Sequence, residues 1–138
     1  GILLHLIDQS EDLIKMKNIS LSSSFDEKCR LTMNSSLADT LFSNLISNAI
    51  RHNIQNGFIN IEIKEFVIKI TNSGPELHDD PENYFERFRK GGTHSDSVGL
   101  GLSIVRKIVQ IYQIGLSYKH EQGIHTIILD IKNHALQN

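Results

Sequence analysis

The stretch from Leu41 to Asn53, LFSNLISNAIRHN, constrains this chain more than any other. Wound as a helix at about 100° per residue, it gathers Ala38, Phe42, Leu45, Ile46 and Ala49 on one apolar flank. Such a flank faces a core, so the helix must lie against other elements. Asn44, Asn48 and Arg51, spaced by four and three, fall in a narrow polar stripe on another side. Two carboxamides and a guanidinium on one stripe suit either a solvated helix face or a site for something polar and anionic.

The rest of the chain supplies partners for that helix. Ile2 to about Asn18 carries a loose helical pattern through Leu3, Leu6, Ile7, Leu13, Ile14 and Met16. Ile19 to Phe25 and Cys29 to Met33 read as two short strands around the polar turn Asp26-Glu27-Lys28. Asn34, Ser35 and Ser36 offer N-caps for the Leu41 helix, and Ser36 with Asp39 resembles a weak capping box. That helix is predicted to end near Asn53, with Asn56-Gly57 as its stop.

Beyond it, Ile59, Ile61 and Ile63 alternate with polar residues, which predicts a strand with one buried face. Phe66 to Asn72 reads as its hairpin partner. From Ser73 to Val98 the pattern disappears, both prolines occur, and only Tyr84, Phe85 and Phe88 add bulk. A loop of that length in a compact domain is functional or disordered as a rule. Gly91 to Ser97 has no apolar anchor, so Arg89 to Val98 is expected to be a lid that is poorly ordered without ligand. Periodicity returns at Gly99 and predicts a helix to about Gln113, followed by strands at Leu116–His120 and Ile124–Ile131. The order predicts one α+β domain: a two-layer sandwich with a mixed, mostly antiparallel sheet.

Three further segments carry chemistry. Gly99 and Gly101 are predicted where a loop becomes a helix, which suits an anion cradled by free N–H groups or mere relief of crowding. Asn72 closes a strand before the turn at Gly74-Pro75, which suits a ligand contact or an Asx-turn. Tyr84 to Gly92, YFERFRKGG, offers Arg87, Arg89 and Lys90 to phosphates or to water. With 14 basic and 16 acidic side chains, the charge balance gives no case for a nucleic-acid partner. Cys29 is the sole cysteine, so no internal disulfide is available, as suits a reducing compartment. No apolar run of about 18 residues exists to span a membrane. The histidines show no metal-ligand spacing, and no Ser-His-Asp or Cys-His arrangement is legible.

In order and spacing these segments resemble the catalytic, ATP-binding domain of bacterial sensor histidine kinases, a branch of the superfamily that includes gyrase, the ninety-kilodalton heat-shock chaperone and the mismatch-repair ATPase. NLISNAIRHN resembles the N box, ITNSGPEL the first glycine box, YFERF the F box, SVGLGLSIVRKIV the second glycine box and HTIILDI the closing strand. The likeness covers nearly the whole chain. It implies the Bergerat-type fold, a mixed sheet backed by three helices, and a site for ATP and Mg²⁺.

Carried over position by position, the resemblance makes Asn48 the Mg²⁺ ligand and Asn44 its support, with Arg51 facing the phosphates. These three would be the catalytic set. His52 would stack on adenine and Asn72 would read it, with Gly74 and Leu77 in the turn beyond. Arg89 and Lys90 would reach phosphates from the lid, and Gly99, Leu100, Gly101 and Leu102 would frame them. Thr126 would lie near the base.

Two departures stand out. Asn72 replaces the family's adenine-reading Asp, and Glu76 replaces the second glycine of that box. Exchanging a charge-assisted hydrogen bond for a neutral one weakens nucleotide binding by roughly 1 kcal/mol. Both departures favour an alternative, a degenerate regulatory module with weak or no nucleotide binding. Hydrolysing relatives carry a Glu where this chain has Asn44; a carboxamide is no general base, which argues against a gyrase- or chaperone-type ATPase. His5 and His78-Asp79-Asp80-Pro81 do not fit the phosphoacceptor motif. The expected protein is thus a cytoplasmic piece of a longer, membrane-anchored sensor. Its partners would be ATP, the dimerisation and phosphoacceptor domain of its own parent chain and, indirectly, a response regulator.

Overall fold

A computed structural model describes residues 2–25, 33–74 and 96–131. The elements in chain order are α1 (Ile2–Gln9), α2 (Glu11–Met16), β1 (Ser20–Phe25), α3 (Ser35–Arg51), β2 (Phe58–Lys64), β3 (Val67–Ser73), α4 (Asp96–Ile111), β4 (Gly115–Glu121) and β5 (Ile124–Asp130). The strands form one sheet in the order β1-β2-β3-β5-β4. Only the β1–β2 pair is parallel, because α3 carries the chain across between them. The predicted α+β sandwich with a mixed sheet is what the chain forms.

Core and pleat explain the layering. Ile59, Ile61, Ile68, Ile70, Ile127 and Leu129 occupy alternate positions of β2, β3 and β5 and are all buried. Facing them, α3 buries Leu41, Phe42, Leu45, Ile46, Ala49 and Ile50. Ala38, predicted on the same flank, is half-buried at its edge. Helix α4 packs beside α3 and adds Leu102, Val105, Ile108 and Val109. Asn34 caps α3, its side-chain oxygen accepting from Ser36 N at 2.9 Å and Leu37 N at 3.1 Å. Ser36 lies inside the helix, so the Ser36–Asp39 capping box is not the cap in use.

Four sequence expectations change. The first helix breaks at Ser10, whose N–H is shared between the Leu6 and Ile7 carbonyls, each at 3.1 Å. Helical periodicity alone does not register such a break, because α2 continues with the same spacing. Next, β1 pairs in parallel with β2, and Met33 is not part of a strand. Residues Cys29 to Arg30, Leu31 and Thr32 of the second expected strand lie outside the described residues. Third, α3 ends at Arg51, with His52 as C-cap. Fourth, α4 begins at Asp96, three residues before Gly99, so both glycines lie within the helix rather than at its mouth. The remainder of the expected lid, Arg89 to Ser95, is outside the described residues.

Both ends of α3 are tied down. Tyr112, after α4, accepts from Asn34 N at 2.9 Å. At the other end, the Lys17 ammonium donates to the carbonyls of Ile50 (3.0 Å), Arg51 (2.7 Å) and Asn53 (3.4 Å). A cation on the last carbonyls satisfies orphan acceptors and opposes the negative end of the helix dipole. Asn53 then joins helix to sheet. Its Nδ2 donates to Phe58 O at 3.0 Å, while its Oδ1 accepts from Ile54 N at 2.9 Å and from the Ser73 hydroxyl at 2.5 Å. Ser73 Oγ in turn accepts from Phe58 N at 2.8 Å. Gly57 fits against this knot because it lacks a Cβ, which would collide with Asn53 Oδ1 and Ser73 Oγ.

Two outcomes follow from that joint. Lys17→Met keeps the stem and removes the charge, and should lower unfolding free energy by about 1 kcal/mol in urea titrations. Gly57→Ala forces the Asn53–Ser73 contact apart and should lower it by about 2 kcal/mol, the usual scale of overpacking. A urea midpoint for Gly57→Ala equal to that of the parent chain would show that the knot yields freely.

Candidate functional site

Helix α3 carries three of the sequence-selected residues on one side. Asn44 is half-buried and its Nδ2 donates to Thr40 O at 2.7 Å, while its Oδ1 has no partner among the described residues. Asn48, one turn on, is half-buried and has no side-chain hydrogen bond among the described residues. Arg51 is exposed at the last helical position. Spacing of four continues the line to His52, whose N–H donates to Asn48 O at 3.1 Å. The His52 imidazole is half-buried and held below the ordinary histidine pKa. Burial is the main cause, followed by the charges of Arg51 and Lys17 and by His125.

The end of β3 lies next to this line. Asn72 continues the helix-facing positions of Ile68 and Ile70 and is only 5% exposed. Its Nδ2 donates to Ser73 O at 2.9 Å, so its Oδ1 is the acceptor left for another group. Gly74 follows in a tight space: a Cβ there would stand 3.0 Å from the His52 carbonyl and 3.0 Å from both Cδ2 and Nε2 of His125. Gly74 N donates to Gly123 O at 2.9 Å, which clasps the β4–β5 turn to the end of β3.

Across the sheet, Asn72 is directly opposite His125, and His125 is directly opposite His120. Opposed residues share a face, so these three form a row at the end of the helix-facing side. Thr126, which the resemblance puts near the base, stands on β5 next to His125. Side chains alternate along β5, where His125 and Ile127 are buried toward the helices, so Thr126 turns to the other face opposite Thr71. The residue that the strand presents to the site is His125, which motif reading passed over. Period-two burial in β5 was the signal that distinguishes the two.

The structure therefore brings Asn48, His52, Asn72 and Gly74 to one end of the sandwich, joined by His125. Asn44 lies one turn farther back along α3. Leu102 is 1% exposed and belongs to the core under α4. Gly99, Leu100 and Gly101 fall in the first two turns of α4. Leu77, Arg89 and Lys90, with Glu76 and the YFERF segment, lie outside the described residues. Among the described residues no group of three or more His, Cys, Asp or Glu side chains could hold a metal ion. None of the described helices is long and apolar enough to cross a membrane.

Comparison with known proteins agrees with this geometry. The family of histidine kinase-, DNA gyrase B- and HSP90-like ATPases matches residues 33–133. The sensor histidine protein kinase HK06 of Streptococcus pneumoniae is 28% identical over 128 residues, covering 89% of this chain and 29% of the relative. The heme sensor protein HssS of Staphylococcus epidermidis is 35% identical over 99 residues, covering 69% of this chain and 22% of the relative. The chain thus spans less than a third of the length of these relatives. The solved catalytic domain of histidine kinase ThkA superposes with a TM-score of 0.76 at 25% identity, covering 93% of this chain and 88% of that one. With Asn48, His52, Asn72 and Gly74 placed as described, the chain belongs to the histidine kinase-, DNA gyrase B- and HSP90-like ATPase family, as an ATP-binding domain of the sensor histidine kinase type.

Proposed function

We propose that this domain binds Mg²⁺-ATP and passes its γ-phosphoryl group to a histidine on the dimerisation domain of a longer parent sensor, from which a response regulator receives it. One observation carries the reading. Of the three carboxamides at the site, Asn44 and Asn72 have their N–H₂ groups committed to backbone carbonyls, while Asn48 has no side-chain hydrogen bond among the described residues. A half-buried carboxamide with no partner among the described residues suits a ligand that supplies one.

Mg²⁺ takes oxygen ligands and keeps much of its shell for water and phosphate, so one carboxamide oxygen on a rigid helix fits its demands. Bound there, the ion would neutralise charge on the triphosphate. Asn48 would hold that end of the nucleotide, with the free Oδ1 of Asn44 one turn behind it. Arg51, exposed at the end of α3, is positioned in sequence to meet phosphate charge, and Arg89 and Lys90 would add to it. Asn72 Oδ1 would accept from the adenine amino group. His52, kept neutral by burial and cationic neighbours, would offer an uncharged ring to the base. Asn44 supplies no base for water, so catalysis rests on positioning and charge neutralisation toward an incoming histidine. In the parent chain this domain would face the cytoplasm below a membrane anchor.

Calorimetry tests the reading directly. Mg²⁺-ATP should bind the parent chain, and Asn48→Ala should weaken it by about tenfold or more, the equivalent of about 1.4 kcal/mol. Absence of ATP and ADP binding at millimolar ligand would sink the proposal.

The lowered pKa of His52 gives a second test. An unfolded imidazole takes up its proton near pH 6.5, while the folded one resists to lower pH. Stability from the neutral ring is therefore fully present above about pH 6.5 and is lost as pH falls toward the folded pKa. Urea midpoints should drop between pH 7.5 and 5, and His52→Gln should drop less. Equal drops in both chains would show that His52 titrates alike in the two states.

A further inference from the structure

His125 is a histidine with a defined seat. It is 6% exposed, on the helix-facing side of β5. Its Nδ1 shares a hydrogen bond with the Tyr118 hydroxyl at 2.8 Å. The His120 ring lies over it with centroids 4.7 Å apart and planes inclined by 38°. Whichever partner donates to the other, the Tyr118 bond fixes the plane of the His125 ring. The opposite edge of that ring, Cδ2 and Nε2, is what bars a Cβ at Gly74. Gly74 directly follows β3, whose last two residues are Asn72 and Ser73, and Asn72 is the residue directly across from His125.

Besides the strand pairing and the Asn53–Ser73 hydrogen bond, two contacts hold the end of β3 at Gly74. The Gly123 carbonyl holds Gly74 N–H, and the His125 edge limits how far Gly74 can move. Gly123 makes its contact at φ 76°, a conformation glycine adopts without strain. Asn72 presents its Oδ1 from this strand end, with its Nδ2 donating to Ser73 O.

We propose that His125 is a positioning residue for the nucleotide base: oriented by Tyr118, it sets the end of β3 from Asn72 to Gly74 and so the acceptor that reads adenine. This rests on the nucleotide-binding reading above. The effect is on the base end of the ligand alone, because His125 lies at the sheet row and not on the α3 line of Asn44 and Asn48. It contributes no proton and no covalent step.

The test compares ATP with inorganic triphosphate, both with Mg²⁺, in competition titrations on the 138-residue chain. His125→Ala should weaken ATP by about tenfold, and Tyr118→Phe, which deletes only the hydroxyl, by about threefold. His125→Asn keeps an acceptor where Nδ1 stands and should recover ATP binding to within about threefold of the parent. Triphosphate affinity should change by less than about twofold throughout, since no phosphate contact is touched. Equal weakening of ATP and triphosphate would overturn the inference, because that is the signature of a general structural loss. So would ATP affinity unchanged in both Tyr118→Phe and His125→Ala. Should circular dichroism show His125→Ala unfolded, Tyr118→Phe decides alone. A parent chain that binds no Mg²⁺-ATP overturns the functional reading itself, whereas a parent that binds and is indifferent to both variants overturns only the role of His125.

Discussion

The Asn53 carboxamide is the interaction on which the rest of this structure depends. One side chain accepts from the Ser73 hydroxyl at the end of β3 and donates to the Phe58 carbonyl at the start of β2. A helix above a sheet can slide and rotate when only apolar side chains lie between them. A buried hydrogen-bond knot removes that freedom, because any shift leaves groups unpaired in a medium where that costs about 1–3 kcal/mol each. The knot lies one residue after His52 and one residue after Asn72. Helix line and strand end are therefore registered against each other at the one place where the site needs it. Lys17 adds to this by holding the last carbonyls of α3 from the preceding segment.

A polar end on an otherwise apolar face is the second constraint. From Ile68 through Ile70 to Asn72, and from Leu129 through Ile127 to His125, the buried positions change from aliphatic to polar at the same height in adjacent strands. Polar groups buried in that way must be paired. Asn72 satisfies its donor on Ser73 O, and His125 satisfies Nδ1 on Tyr118. Among the described residues, acceptor capacity at Asn72 and the carboxamide of Asn48 remain without a partner, which suits the proposed ligand site at this end.

Much of this was legible in the residues for physical reasons. Period-two isoleucines fixed β2 and β3, and the 3.6-residue spacing from Phe42 to Ala49 fixed α3 and its buried flank. Box order pointed to the family. Other features left no comparable trace. A strand's alternation does not name its partner, so the parallel pairing of β1 with β2 across α3 could not be read from Ile19 to Phe25. The Ser10 break disturbs no apolar spacing. Asp96, Ser97 and Val98 show too little periodicity to announce the first turn of α4. Thr126 and His125 differ by one residue, and in a strand one residue is the difference between the two faces. Motif matching carries no pleat, whereas burial does.

Asn72 shows how local backbone and ligand chemistry meet. As a departure from aspartate it reads, from sequence alone, as a loss of charge at the base. In the fold its amide has a second task, donating to Ser73 O at 2.9 Å. A carboxylate in the same rotamer would set an acceptor against that carbonyl and would carry a charge into a position only 5% exposed. The carboxamide avoids both penalties and still ends with an oxygen free to accept. Under the proposed reading, a weaker neutral contact to the base would be balanced by a cheaper and better-anchored side chain. Its direction is fixed by the Ser73 bond rather than by charge. Under the proposed reading, base recognition would depend on how firmly this strand end is held, which is a property of the neighbouring strand as much as of Asn72.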